Sequence, residues 1–309
     1  MAKTPMMSGK DRRRELGAYV KSNWQLYVML LIPVAFVLIF KYAAYPGLRI
    51  AFMNYKPAKG YAGSAWVGME NFQKIFKDKD FLRALKNSLA FNFLDLILGF
   101  PVPIILALLL NELRFLRFKK VSQTVLYLPH FLSWVIISSI SLRLFATNDG
   151  MINKLMGTSI PFLGTENNWR AMYIVLGIWK ECGWNTIIYL AALTGISPEL
   201  YEAAEVDGAS RLQKIWHITL PGIRSTIIVL LIMNLGHILG SEFDRPFTLS
   251  NPLVVGASKT ISIFVYERGI QGSQFSLSTA VGLFQSVVCV IFLLLSNSLA
   301  KKFGERGIW

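Results

Sequence analysis

The sequence predicts an all-α, polytopic membrane protein with six transmembrane helices and both termini in the cytoplasm. Three observations carry this expectation. The chain of 309 residues is 53% hydrophobic and only 16% charged, with a mean hydropathy of +0.45; a soluble domain carries about 25% charge. Its apolar stretches approach the ~20 residues that cross a bilayer. Its basic residues gather in short segments between those stretches and at both ends, as the positive-inside bias requires.

The elements follow in order. Residues 1–23 form a basic cytoplasmic tail, with Lys3, Lys10, Arg12, Arg13, Arg14 and Lys21 against Asp11 and Glu15, lying on an anionic leaflet. The first span is 24–45; Pro33 is tolerated inside it, and Trp24, Tyr27, Tyr42 and Tyr45 mark its interfaces. Residues 46–82 are external, with turn signals at Pro46, Gly47, Pro57, Gly60, Gly63 and Gly68. The second span, 83–111, is expected to kink at Pro101 and Pro103. Arg114, Arg117, Lys119 and Lys120 then place the next loop inside. Span three is 121–147, residues 148–169 are external, and span four is 170–196.

Residues 197–221 return the chain on the cytoplasmic side. Span five is 222–243, and 244–274 are external, with an alternating run at 260–266 lying against the membrane. Span six is 277–299, and Lys301, Lys302 and Arg306 end the chain inside. One membrane domain, 24–300, is thus flanked by tails 1–23 and 301–309.

Composition also excludes functions. The formal net charge of +14 is spread over short membrane-flanking loops, which argues against nucleic-acid binding. Cys182 and Cys289 fall in apolar runs and read as small buried hydrophobes. His130, His217 and His237 are scattered without ligand spacing, so neither a metal nor a cofactor is expected. There is no phosphate loop and no arrangement suggesting a nucleophile, so no enzyme is expected either. No secretory cleavage pattern precedes the first span.

The polar stretch 197–221 reads as two short helices joined by an elbow. Ser197, Pro198 and Glu199 suit a helix start, by side-chain cap, ring geometry and dipole respectively. Gly208 suits a stop, because glycine enters the left-handed region without strain. A second helix is expected over 210–217, before Pro221 opens the next span. Ala203 and Ala204 are small enough to admit another protein's surface. Glu199 and Glu202 share a face.

The order Glu202-Ala203-Ala204, three residues, Gly208, nine residues, then Ile218-Thr219-Leu220-Pro221 resembles the signature loop of the inner-membrane permeases of ATP-binding-cassette importers. Further likeness to the oligosaccharide-importing branch, and within it to LplB-type permeases, runs through Gly99 to Ile104, Ala107 to Glu112, Tyr127 to Trp134 and Thr279 to Phe284, and through Asn54-Tyr55 and Ser64 to Gly68. Trp216 departs from a common phenylalanine but stays aromatic.

The resemblance implies a type I importer fold in a bacterial inner membrane. It implies that Glu202, Ala203, Ala204, Asp207, Gly208, Ile218, Leu220 and Pro221 couple to a cytoplasmic ATPase dimer. It further implies a second, related permease subunit forming a heterodimer, an extracytoplasmic solute-binding protein, and an oligosaccharide cargo moved by alternating access.

Polar groups at membrane depth cost about 2.5–3.5 kcal/mol each when charged, so they are expected to face a cavity or a partner. Asn92 and Asp95 lie three apart in span two, and Asn234 and His237 three apart in span five. In span four Glu181 shares a face with Asn185 and Lys180 with Trp184; the ~100° between neighbours argues against a simple Lys180–Glu181 pair. Trp134, Trp179, Trp184 and Tyr189 offer flat apolar faces for sugar rings. These eleven residues are the candidate substrate path. The rival reading is an ion- or proton-coupled secondary transporter with Asp95, Lys180 and Glu181 as a relay. An intramembrane enzyme lacks a convergent cluster, and an exporter half would carry a fused ATPase or a different loop.

Overall fold

The computed structural model describes residues 18–240, 242–302, 304 and 307–308. The tail cations Lys3, Lys10, Arg12, Arg13 and Arg14, their neighbours Asp11 and Glu15, and Arg306 lie outside the described residues. The chain forms two units, Met1–Ile50 and Ala51–Trp309. The first holds α1 (Trp24–Val37), with Pro33 in its interior, continued by a wider turn, Leu38–Tyr42. None of α1 is buried by the chain itself, as expected of a helix whose solvent is lipid.

In the second unit, β1 (Met53–Asn54) and β2 (Ala65–Trp66) form a small antiparallel hairpin with Met53 opposite Trp66. Then come α2 (Glu70–Lys77), α3 (Lys79–Leu94), α4 (Pro101–Glu112), α5 (Leu116–Tyr127) and α6 (Trp134–Leu144). They are followed by α7 (Met151–Met156), α8 (Glu166–Leu193), α9 (Pro198–Val206), α10 (Arg211–Lys214) and α11 (Arg224–Leu235). Three short helices, α12 (Asp244–Leu249), α13 (Val255–Ser258) and α14 (Ile261–Val265), precede the long α15 (Phe275–Lys302).

Among the described residues, three stretches are long and apolar enough to cross a membrane: Trp24–Phe52, Lys79–Glu112 and Phe275–Lys302. Two bent pairs, Leu116–Phe131 with Trp134–Leu144 and Arg211–Gly222 with Arg224–Leu235, raise the number to five when each counts as one span. The remaining expected span, α8, has 28 residues, but Lys180, Glu181 and Asn185 make it too polar for that set.

Four expectations need correction. The third span is not one straight helix: it bends by 99° between α5 and α6. Pro129 lacks an N–H, and Leu132 and Ser133 are extended, so the ladder stops; Ser133 Oγ then accepts from Ile136 N at 3.3 Å and starts α6. The fifth span stops at Leu235 rather than 243. Pro101 and Pro103 do not sharply kink span two. A wide turn, Asp95–Gly99, comes just before Pro101, with Phe100 N bonding Asp95 O, which moves aside the carbonyl that the ring would strike. The same device, Ile215–Thr219, precedes Pro221. The run 260–266 is mostly helical, and Ile261, Ile263 and Phe264 are buried in the protein.

Three clusters hold the second unit together. One joins Phe91 of α3, Trp134 and Ile137 of α6, and Trp169, Tyr173 and Leu176 of α8. Another joins Ile75, Phe81, Phe264 and Val281 from α2, α3, α14 and α15. A third joins Ala107 of α4, Tyr189 and Leu193 of α8, and Ile223. Glycines permit the closest approaches: a Cβ on Gly183 would strike the Leu126 carbonyl, and one on Gly222 would strike Ile196.

Gly183→Val therefore forces α8 off α5 and is expected to cost about 1–3 kcal/mol by overpacking. Gly282 faces open space, so Gly282→Ala is expected to be neutral or mildly stabilising. Melting of the detergent-solubilised variants measures both.

Candidate functional site

A cavity of about 340 Å³ lies inside the second unit, walled by α3, the Asp95–Gly99 turn, α4, α8, α11 and α12. Seven of the eleven candidate residues line it: Asn92, Asp95, Glu181, Asn185, Tyr189, Asn234 and His237. Trp134, Trp179, Lys180 and Trp184 do not. Helical spacing brings Glu181, Asn185 and Ile188 onto one wall, and the turn that follows α11 sets His237 beside Asn234, with His237 N bonding Asn234 O at 3.0 Å. Cys182, expected to be buried, is half-buried and lines the cavity too; Cys289 is likewise half-buried and free.

Sequence reasoning missed Arg245. Its guanidinium donates to Asp95 through Nη1 at 2.9 Å and Nη2 at 3.4 Å, and Nη2 also donates to the Tyr173 carbonyl. It lies 3.7 Å from the Tyr173 ring centre and 5.5 Å from that of Trp134, a placement that suits a desolvated cation. Gly177 makes room, since a Cβ there would collide with the guanidinium. Trp134 Nε1 donates in turn to Glu242. Arg245 sits in the stretch 244–274 expected to be external, between Asp244 and Pro246, and no local signal marked it for burial.

Lys180 and Glu181 form a pair after all, at 3.0 Å, which corrects the expectation drawn from their helical angle. Lysine's long stem covers that angle. Lys180 Nζ also donates to the His130 carbonyl at 2.8 Å, a carbonyl in the break between α5 and α6. Glu181 Oε2 meets His130 Nδ1 at 2.8 Å, and the His130 ring stacks on Trp184 at 4.4 Å and 4°. Lys180, buried, thus anchors a broken helix, and Trp184 clamps a histidine. Of the cavity amides, Asn92 Nδ2 donates to the Ile238 carbonyl at 2.8 Å and Asn234 Nδ2 to the Leu230 carbonyl at 2.8 Å. Their amide oxygens are left to other donors.

The elbow has the expected shape with changed details. α9 starts at Pro198, but the Ser197 side chain makes no cap bond. Gly208 has φ +75°, and the bonds Gly208 N to Glu205 O (3.1 Å) and Ala209 N to Ala204 O (2.8 Å) close the helix in a Schellman motif. Ser210 and Gln213 form a capping box for α10. The second limb runs on past Pro221 to Gly222 instead of stopping at 217. Tyr201 OH to Thr219 Oγ1 (3.0 Å) and Lys214 to Glu205 (3.7 Å) tie the two limbs together. Val206, Leu212 and Trp216 are 88%, 78% and 70% exposed, and Glu202, Ala203 and Asp207 are exposed beside them.

The profile of the binding-protein-dependent transport system inner membrane component family matches residues 85–305, which takes in cavity and elbow alike. The chain belongs to this family. As a permease it is 46% identical over 304 residues to the polygalacturonan/rhamnogalacturonan transport system permease protein YteP of Bacillus subtilis, covering 97% of this chain and 95% of that one. It is 44% identical to protein LplB of the same organism, covering 95% and 93%. It superposes with TM-score 0.85 and 38% identity on a chain of the bacterial alginate ABC transporter solved with an alginate pentasaccharide-bound periplasmic protein, covering 94% and 99%. The chain is thus a permease component of a sugar-importing ABC system.

Arg245→Met is expected to strand the Asp95 carboxylate and cost about 3 kcal/mol, the low end for a broken buried pair because Asp95 is partly exposed. Adding Asp95→Asn is expected to restore most of it. Thermal stability of single and double variants in detergent reads the difference.

Proposed function

We propose that this permease passes an oligosaccharide across a bacterial inner membrane as one of two related permease subunits, probed from outside by a solute-binding protein and driven by a cytoplasmic ATPase pair. The cavity carries the reading: it gathers amides, a histidine, a tyrosine and two carboxylates from widely separated parts of the chain, in a volume suited to a small ligand. Hydroxyl-rich cargo matches such a mixed set of donors and acceptors. The cargoes for which its relatives are named, polygalacturonan or rhamnogalacturonan and alginate, are saccharides too.

In this reading the chain crosses the bilayer six times. The crossings are α1, α3 with α4, the bent α5–α6 pair, α8, the bent α10–α11 pair, and α15, with both ends inside. The elbow then faces the cytosol. Its exposed Val206, Leu212 and Trp216, with the small Ala203, fit an ATPase cleft. The cross-tied limbs let it move as one body. ATP binding draws the elbows together and turns the cavity outward; hydrolysis returns it. The coupling residues Glu202 through Gly208 and Ile218 through Pro221 transmit force and do no covalent chemistry.

A proton relay is the weaker alternative. Asp95 already holds Arg245, and Glu181 already holds Lys180 and meets His130, so both carboxylates serve as partners in ion pairs. Uptake by the assembled importer is expected to survive a protonophore while ATP lasts and to stop when the ATPase is inactivated; the opposite pattern selects the relay.

Gly208→Val places a β-branched residue at φ +75°, a conformation that costs roughly 1–2 kcal/mol for L-residues. It is expected to abolish saccharide-stimulated ATPase activity of the complex while insertion into the membrane stays normal. Gly208→Asn, which tolerates that conformation, is expected to keep most of the stimulation.

A further inference from the structure

A second recess lies on the other side of α12. Arg245 lines the central cavity, and Phe247 lines the recess; two residues apart on a helix, they point about 200° from each other. The short helix is therefore a partition, with the cavity behind it and the recess before it. The recess has a volume of about 180 Å³, against about 340 Å³ for the central cavity.

Its walls combine two chemistries. Phe247 and Tyr266 supply aromatic surface, and both rings are braced: they meet each other edge to face at 5.6 Å, and Phe243 packs on them at 4.8 and 5.0 Å. Lys259 and Glu267 supply a charged pair at 3.0 Å, and Lys259 is held further by Asp80 at 3.7 Å. The Ser250 hydroxyl and the Gln271 carboxamide complete the lining, and that carboxamide has no hydrogen-bond partner among the described residues. A rigid aromatic face beside fixed ionic and amide groups is what a pyranose needs: its C–H face packs on the rings while its hydroxyls exchange hydrogen bonds at the edge.

We propose that this recess is a second saccharide subsite, which takes one pyranose residue of the cargo on the far side of α12 from the central cavity. The inference rests on the oligosaccharide reading above. It adds a waiting position, occupied while the Arg245–Asp95 pair keeps the partition in place.

The test uses the assembled importer in nanodiscs with alginate oligosaccharides and oligogalacturonides as probes. Cys182 and Cys289 are replaced by Ala, and Val255→Cys puts a thiol on the recess wall without touching its polar groups. Saturating probe is expected to slow thiol modification several-fold. That protection is expected to vanish with Tyr266→Ala and Gln271→Ala and to persist with Tyr266→Phe, which keeps the ring. Modification at one rate with and without probe, in a complex whose unaltered form transports the same saccharides, overturns the subsite and leaves the oligosaccharide reading standing. An unaltered complex that transports none of them overturns both.

Discussion

A backbone interrupted inside an apolar slab must find partners for its freed carbonyls within the protein, because lipid offers none. The permease meets this constraint with cations. Lys180 reaches from α8 to the His130 carbonyl in the break between α5 and α6. Arg245 reaches from α12 to the Tyr173 carbonyl. Each is neutralised by an acid, Glu181 and Asp95, and each acid has a second face on the cavity. Lys180 thus fastens a broken segment, whereas Arg245, whose Tyr173 acceptor lies inside the unbroken α8, fastens α12 to that helix. The polar wall of the cavity is partly the back of those fasteners.

The arrangement links cavity and elbow by continuity of chain. Glu181, Asn185 and Tyr189 face the cavity from α8, and the same helix leads within a few residues to α9. On the other side the elbow feeds α11, which carries Asn234. Tyr189 and Leu193 pack with Ile223 and Ala107 where the two helices leave the elbow. Wide turns next to Pro101 and Pro221 put local give into α3–α4 and α10–α11, the elements beside that cluster.

Much of this was legible in the sequence, and the residues say why. Gly208 follows from a local rule of conformation, and its φ of +75° is what that rule asks for. Glu181 and Asn185 share the cavity wall by helical period. What local rules miss is reach and tertiary context. Lys180 meets Glu181 because a flexible stem ignores the angle between neighbouring Cβ atoms. Pro101 sat inside an apolar run and suggested a kink, but an extra residue in the preceding turn absorbed the clash. Arg245 sat in a stretch read as an external loop, and nothing local says that such a loop folds inward onto α8. Trp134 and Trp184 read as sugar platforms and became lids on Arg245 and His130.

Gly222 and Ile196 meet at the base of the elbow, where the Ile196 side chain packs onto the bare glycine. The chain leaving α8 and the chain entering α11 are therefore pinned to each other at their feet as well as tied across the limbs by Tyr201 and Thr219. A loop closed at both tip and foot resembles a stirrup more than a hairpin. So tied, the loop holds its two arms at a fixed spacing. A side chain larger than hydrogen at position 222 would meet Ile196 and push the two feet apart.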